Sequence, residues 1–185
     1  MNNTNEYENE CIIYQNGNNI IKMKLINKVK NATQIVKQAL LFDDEQTCYY
    51  KQTSDLDLNA RMFLLSKDIY GIYLNNNIIG LIGIYIHNPV DKTRLELCCC
   101  LKNEYRNKKI GQKAVKKAIE FCKNKKGVRS IYVSVREDNI ACQKLVSKLN
   151  FKEHPEYKDT DLFVTSNETK IKKKQYLLKL KDYHN

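Results

Sequence analysis

The chain has 185 residues, 42% of them hydrophobic, and carries 32 Lys and Arg against 21 Asp and Glu, a formal charge of +11. A domain of this length removes roughly two-thirds of its chain surface from water and builds a core without a disulfide or metal staple. The apolar runs Ile78 to Ile86 and Leu95 to Leu101 fall far short of the roughly 20 residues of a membrane-spanning helix, and Met1 to Glu10 has neither a basic nor an apolar signal region. A cytoplasmic protein with no membrane partner is expected.

Residues 1–18 are polar and hold the turn signal Asn16-Gly17-Asn18-Asn19, so they read as a flexible leader to a single domain over 19–185. Ile20 to Leu25 alternates as a strand does, and Ala32, Ile35, Val36, Ala39 and Leu40 then recur at helical spacing. Asp43 to Asp57 reads as a polar loop, and Leu58 to Ser66 as a second short helix. Tyr70 to Leu74 and Ile78 to Ile86 are β-rich runs joined by Asn75-Asn76-Asn77, whose residues tolerate positive φ, so a hairpin is predicted. Thr93 to Leu101 follows as the third consecutive antiparallel strand.

The period then changes. Ile110, Ala114, Val115, Ala118, Ile119 and Cys122 mark one face of a helix ending near Gly127. Ser130 to Val135 predicts a strand, and Asp138 or Asn139 caps a helix whose apolar face is Ala141, Cys142, Leu145, Val146 and Leu149. A polar excursion from Lys152 to Thr169 precedes a closing strand over Gln175 to Leu180. The order β-α-(α)-β-β-β-α-β-α-β-β describes a mixed α/β (α+β) domain without internal repeats.

Charge is unevenly spread. Between Lys102 and Arg129 eleven basic residues face two acidic ones, so +9 of the +11 lies there. With 27 lysines and five arginines the surplus has the look of an A/T-rich coding bias, and basic charge alone is weak evidence for nucleic acid. The seven cysteines show no C-x-x-C spacing, and the consecutive Cys98, Cys99 and Cys100 point to alternate faces of a strand, so no metal site is expected.

Chemistry concentrates in Leu95 to Lys113, where a strand feeds a short basic loop that opens a helix. The first N–H groups of a helix lack internal partners and sit at the positive end of its dipole, which favours an anion there. Arg106, Lys108 and Lys109 add charge, although the same residues would also suit a plain solvated turn.

A second segment lies downstream. Tyr105-Arg106-Asn107-Lys108-Lys109-Ile110-Gly111, the strand Ser130 to Val135, and Asn139-Ile140-Ala141-Cys142-Gln143-Lys144-Leu145-Val146-Ser147-Lys148-Leu149-Asn150-Phe151 together resemble the two signatures of the GCN5-related N-acetyltransferase superfamily. Spacing and element order agree, and the N-x-x-S-like branches that acetylate ribosomal-protein amino termini look somewhat similar. The sequence departs from the family at three places: Lys109 replaces the first glycine of the loop, Asn150 replaces the glycine before Phe151, and Val146 stands where a tyrosine often protonates the departing sulfur. A side chain at Lys109 would crowd the diphosphate or strain the backbone.

The resemblance implies an acyl-CoA N-acyltransferase fold and transfer of an acetyl group from acetyl-CoA to a primary amine by direct attack. It implies that Cys99, Cys100 and Leu101 present main chain to the pantetheine arm, and that Arg106, Asn107, Lys108, Lys109, Ile110, Gly111 and Gln112 surround the diphosphate. Asn139 would bond the arm, or serve only as a helix cap. Glu96 is the candidate base with Glu137 in reserve, and Ser147, Tyr132 or a water would supply the proton in place of tyrosine. His87 and His154 read as surface residues. The acceptor, a small molecule, polyamine or protein amine, would be lined by the first helices, the 43–57 loop and the 152–169 excursion. A homodimer is left open. Two other readings compete: a binder of acyl-CoA without catalysis, and a basic RNA-binding module, which lacks the aromatic pattern of RNA recognition.

Overall fold

The computed structural model describes residues 10–41, 56–86, 90–154, 162–164 and 170–183. In chain order the elements are β1 (Glu10–Asn16), β2 (Asn19–Leu25), α1 (Ala32–Leu40), α2 (Leu56–Ser66), β3 (Lys67–Leu74), β4 (Asn77–Ile86) and β5 (Arg94–Leu101), then α3 (Ile110–Asn124), β6 (Ser130–Arg136), α4 (Ile140–Lys148), β7 (Lys152–Glu153), β8 (Leu162–Val164) and β9 (Lys170–Lys179). The strands lie in the order β1-β2-β3-β4-β5-β6-β9-β7, with β8 on β9. Among the described strands β5 and β6 alone pair in parallel, because α3 crosses over between them.

Each face of the sheet is covered. Ile35, Val36, Ala39 and Leu40 of α1 and Ala60 and Phe63 of α2 pack with Ile69 and Leu81 on one side. On the other, α3 buries the six residues its periodicity marks, against Leu95, Leu97, Leu101, Ile131 and Val133. Each such fully buried aliphatic side chain contributes about 1.5–3 kcal/mol. The β3–β4 hairpin turns through Asn75 and Asn76 at φ 52° and 100°, as their tolerance of positive φ predicts.

β1 corrects the sequence reading over residues 10–16, which were expected in a loose leader. It forms a hairpin with β2 through Gly17 at φ 55°. Its register shifts between Ile12 and Tyr14, which breaks the strict alternation that would have marked a strand. Cys11, Ile13 and Tyr14 nonetheless pack on the core, and the Lys113 ammonium sits 3.6 Å from the Tyr14 ring centre. Two further differences are smaller: α2 takes in Leu56 and Asp57, and the expected polar excursion contains β7 and β8, with β9 starting at Lys170, ahead of the strand expected from Gln175. The rest of the Asp43–Asp57 loop and His87 lie outside the described residues.

Candidate active site

The parallel pairing of β5 with β6 is short. Arg94 meets Ser130, Leu95 meets Ile131 and Glu96 meets Tyr132, and there the ladder stops, although β5 continues to Leu101 and β6 to Arg136. On its other side β5 remains paired with β4 as far as Leu101. The two strands therefore diverge, and a cleft opens whose apex is the Glu96–Tyr132 pair.

Main-chain direction along β5 follows from the ladder with β4. The Lys102 N–H donates to the Ile79 carbonyl at 2.9 Å, and antiparallel pairs alternate between bonded and non-bonded. Cys98 and Cys100 accordingly direct their main-chain groups to β4, whereas Cys99 and Leu101 direct theirs to the cleft. The Leu101 carbonyl accepts there from Arg106 Nε at 3.0 Å. This places the Cys99 to Leu101 segment along one wall of the cleft.

Beyond Leu101 the chain makes one turn of 3₁₀ helix over Asn103–Tyr105 and enters α3. Lys109 caps α3 in the left-handed conformation, φ 61° and ψ 4°, with no side-chain cap bond, and Asn107 is left-handed as well at φ 60°. The strained backbone expected for Lys109 is present, and its side chain is exposed. The left-handed conformation costs a residue with a Cβ about 1–2 kcal/mol. The first helical bond is Lys113 N–H to the Lys109 carbonyl at 3.1 Å. Among the described residues, the N–H groups of Asn107, Lys108, Lys109, Ile110, Gly111 and Gln112 have no acceptor. A Cβ on Gly111 would lie 3.3 Å from Leu101 Cδ1, so glycine lets this helix start rest close on the end of β5. A row of unsatisfied donors at the positive end of a 15-residue helix, beside Lys108 and Lys109, makes a site for a multiply charged anion.

Glu96 is half-buried at the apex and faces the α1–α2 side, in parity with Cys98 and Cys100. Its Oε1 accepts from Ser134 Oγ at 2.8 Å, across the point where the strands part. Asn139 stands just past the end of β6 and caps α4, its Oδ1 accepting from the Cys142 N–H at 3.0 Å. The cap role is thus present, and it leaves the Asn139 amide nitrogen for other work. Ser147 is exposed on α4, about two turns beyond the cap. Its neighbour Val146 is 2% exposed, packed in the core with Leu149 and Phe151, and Asn150 is left-handed at φ 65° as a glycine replacement must be. Glu137 is exposed.

Sequence reasoning missed the polar row that accompanies Glu96. Ser134 of β6 pairs with Gln175 of β9, which is buried and has a side-chain oxygen without a partner. The Tyr132 hydroxyl accepts from the Arg94 guanidinium at 3.4 Å, and its ring meets the His154 ring edge-on. The signal was available, since Tyr132, Ser134 and Arg136 alternate with Ile131, Val133 and Val135 along β6.

One charged pair stands next to Ser134 and Asn139. Arg136, buried, forks onto Asp138 at 2.9 and 2.6 Å, and this bonding holds the Asp138 carboxyl below the usual carboxylate range. Burial pushes the Cys142 thiol up to about 11 and that of Cys122 up to about 12. Within the basic stretch Lys117 pairs with Glu120 at 2.8 Å, Lys125 pairs with Asp68, and Lys123 donates to the Tyr183 carbonyl. Three lysines of the stretch are thus engaged within the fold. No helix among the described residues is long and apolar enough to cross a membrane.

A model of the Acetyltransferase (GNAT) family matches residues 34–151. No curated protein matches the sequence. Among solved structures, an acetyltransferase from Salmonella typhimurium that modifies the N-terminal serine of ribosomal protein L7/L12 superposes with a TM-score of 0.72 at 12% identity, covering 92% of this chain and 98% of that one. YncA from Salmonella typhimurium, solved with its cofactor acetyl-CoA, gives 0.67 at 15% identity over 89% and 96%. A chimera of the spermidine N-acetyltransferase SpeG from Vibrio cholerae gives 0.67 at 12% over 88% and 97%. At these identities the likeness is one of fold.

Proposed function

The chain belongs to the GNAT acetyltransferase family, and from that premise we propose that it transfers an acetyl group from acetyl-CoA to a primary amine. The observation that carries the proposal is the strand divergence at Glu96 and Tyr132 together with the unsatisfied amides of residues 107–112 at its far end. The donor set fits the cofactor: a helix start for a diphosphate, and one strand wall for an extended arm.

Bound acetyl-CoA supplies an acyl group activated as a thioester. Asn107 to Gln112, with Arg106, Lys108 and Lys109, hold its diphosphate, and the main chain of Cys99 to Leu101 aligns the arm and polarises the carbonyl. Asn139 bonds the arm from the β6 side. Glu96 takes the proton released by the amine as the N–C bond forms and the C–S bond breaks. Ser147 is the proposed proton source for the departing sulfur, which as a thiolate of pKa about 8.5 leaves readily even without one. The named structural relatives act on a polyamine and on a protein amino terminus, so both acceptor classes enter the test.

Hydrogen exchange of the full chain with and without acetyl-CoA tests cofactor binding. Slower exchange at residues 99–101 and 107–112 is expected, and an unchanged pattern at saturating acetyl-CoA overturns the proposal, as does protection there by an RNA oligonucleotide alone. Thiol release with spermidine and with a peptide bearing an N-terminal serine then separates turnover from binding alone, the competing reading that rests on Lys109 and Val146. Glu96→Gln is expected to remove the acid limb of the rate profile.

A further inference from the structure

We propose that Ser134 is a positioning residue for the reaction: its hydroxyl, bonded to Glu96 Oε1 at 2.8 Å, fixes and stabilises the carboxylate at the apex of the cleft. The inference rests on Glu96 acting as the base.

The bond is made across a break. Glu96 is the last residue of β5 to pair with β6, and Ser134 lies two residues past its partner Tyr132, where no main-chain bond joins the strands. A side chain therefore takes up the contact at the point where the ladder ends. The donor is placed by the strand: Ser134 shares a face with Tyr132 and Arg136, and its register partner on β9 is the buried Gln175. A polar row Glu96–Ser134–Gln175 thus crosses three strands on one face, while Leu95, Ile131, Val133, Val135 and Tyr176 occupy the other.

A sheet needs no such row for stability. Burying the Gln175 oxygen without a partner opposes folding by roughly 1–3 kcal/mol, and apolar residues would pack the same positions better. The physical effect of the hydroxyl on Glu96 has a definite sign. A hydrogen bond donated to the charged form favours it, so Ser134 keeps the carboxylate ionised to lower pH and holds its Oε1 in place.

Other groups share this environment. Arg94 and Cys98 flank Glu96 on β5, Tyr85 faces it from β4 and Tyr132 from β6, Arg136 lies beyond Ser134, and His154 packs on Tyr132. The α1–α2 layer adds Phe63 near Cys98. Within this surrounding the Ser134 hydroxyl donates to Glu96 Oε1 at 2.8 Å.

The test combines a direct titration with kinetics on the full chain. Carboxyl carbons of glutamate are labelled with ¹³C, the Glu96 signal is assigned by its loss in Glu96→Gln, and its midpoint is followed in wild type, Ser134→Ala and Ser134→Thr. Thiol release with acetyl-CoA is measured over the same pH range with spermidine and the N-terminal-serine peptide. In Ser134→Ala the midpoint is expected to move to higher pH, the acid limb of kcat/KM to move with it, and kcat/KM at neutral pH to fall on the order of tenfold, the worth of one hydrogen bond to a charged group. Ser134→Thr, which keeps the hydroxyl, restores both. An unmoved midpoint in a folded Ser134→Ala overturns the proposal even where Glu96→Gln is slow, and leaves the base assignment standing. A moved midpoint with a rate indifferent to both Ser134→Ala and Glu96→Gln overturns the base assignment, and the catalytic role of Ser134 with it.

Discussion

Lys109 offers a test in which backbone and charge separate. It caps α3 at φ 61° with its side chain exposed, so replacing it removes no packing. Lys109→Gly relieves about 1–2 kcal/mol of left-handed strain, and the greater freedom of unfolded glycine returns about 0.4–1 kcal/mol. The net gain is about 0.5–1 kcal/mol, which for a chain of this length raises Tm by about 1–4 °C. Lys109→Ala keeps the Cβ and loses the same charge, so its Tm stays within about 1 °C of wild type. Thermal unfolding of the three proteins reads the backbone effect as the glycine-to-alanine difference. Calorimetry with acetyl-CoA reads the charge effect, expected to be similar in both variants and to shrink in salt, as the Debye length falls from about 10 Å at 0.1 M to about 3 Å at 1 M. A glycine variant that melts at or below the alanine variant refutes the strained cap. Weaker acetyl-CoA binding by glycine than by alanine refutes the idea that Lys109 acts there through its charge.

Three further outcomes are expected. Asp138→Asn removes a carboxylate whose folded pKa lies below the ordinary 3.8 because Arg136 bonds it. That contribution is fully present above about pH 4 and is lost as pH falls through the folded value. With the carboxylate 48% exposed and screened, the variant loses about 1 kcal/mol at neutral pH, and the gap to wild type closes under acid in urea titrations at pH 7 and pH 3. N-ethylmaleimide mapped by mass spectrometry modifies the exposed Cys99 well before Cys122, and acetyl-CoA slows it, while Cys122, whose buried thiol is pushed up to about 12, reacts only on unfolding. Equal native rates for the two thiols would contradict the placement of β5. Val146→Tyr forces a phenol into a core position 2% exposed, which costs about 1–3 kcal/mol of stability; a lowered Tm with no faster thiol release is expected, and faster release would show that the family's usual acid can be regained at this site.

Local sequence carried most of the architecture because periodicity, caps and turns are short-range properties. The six buried residues of α3, the asparagine turn of the β3–β4 hairpin and the Asn139 cap of α4 all sit where spacing and residue type put them. The strand, basic loop and helix start of the proposed anion site were legible for the same reason, since they are consecutive in the chain. β1 was hidden because an edge strand with a shifted register and a polar outer face loses the alternation on which such reading depends. The cleft and the Ser134–Glu96 bond could not be read at all. They depend on where β5 and β6 stop pairing, which brings together residues 38 apart in the chain. Sequence determined what each segment is and which donors it offers; only tertiary packing decided that the ladder ends at Glu96 and brings a hydroxyl to its carboxylate.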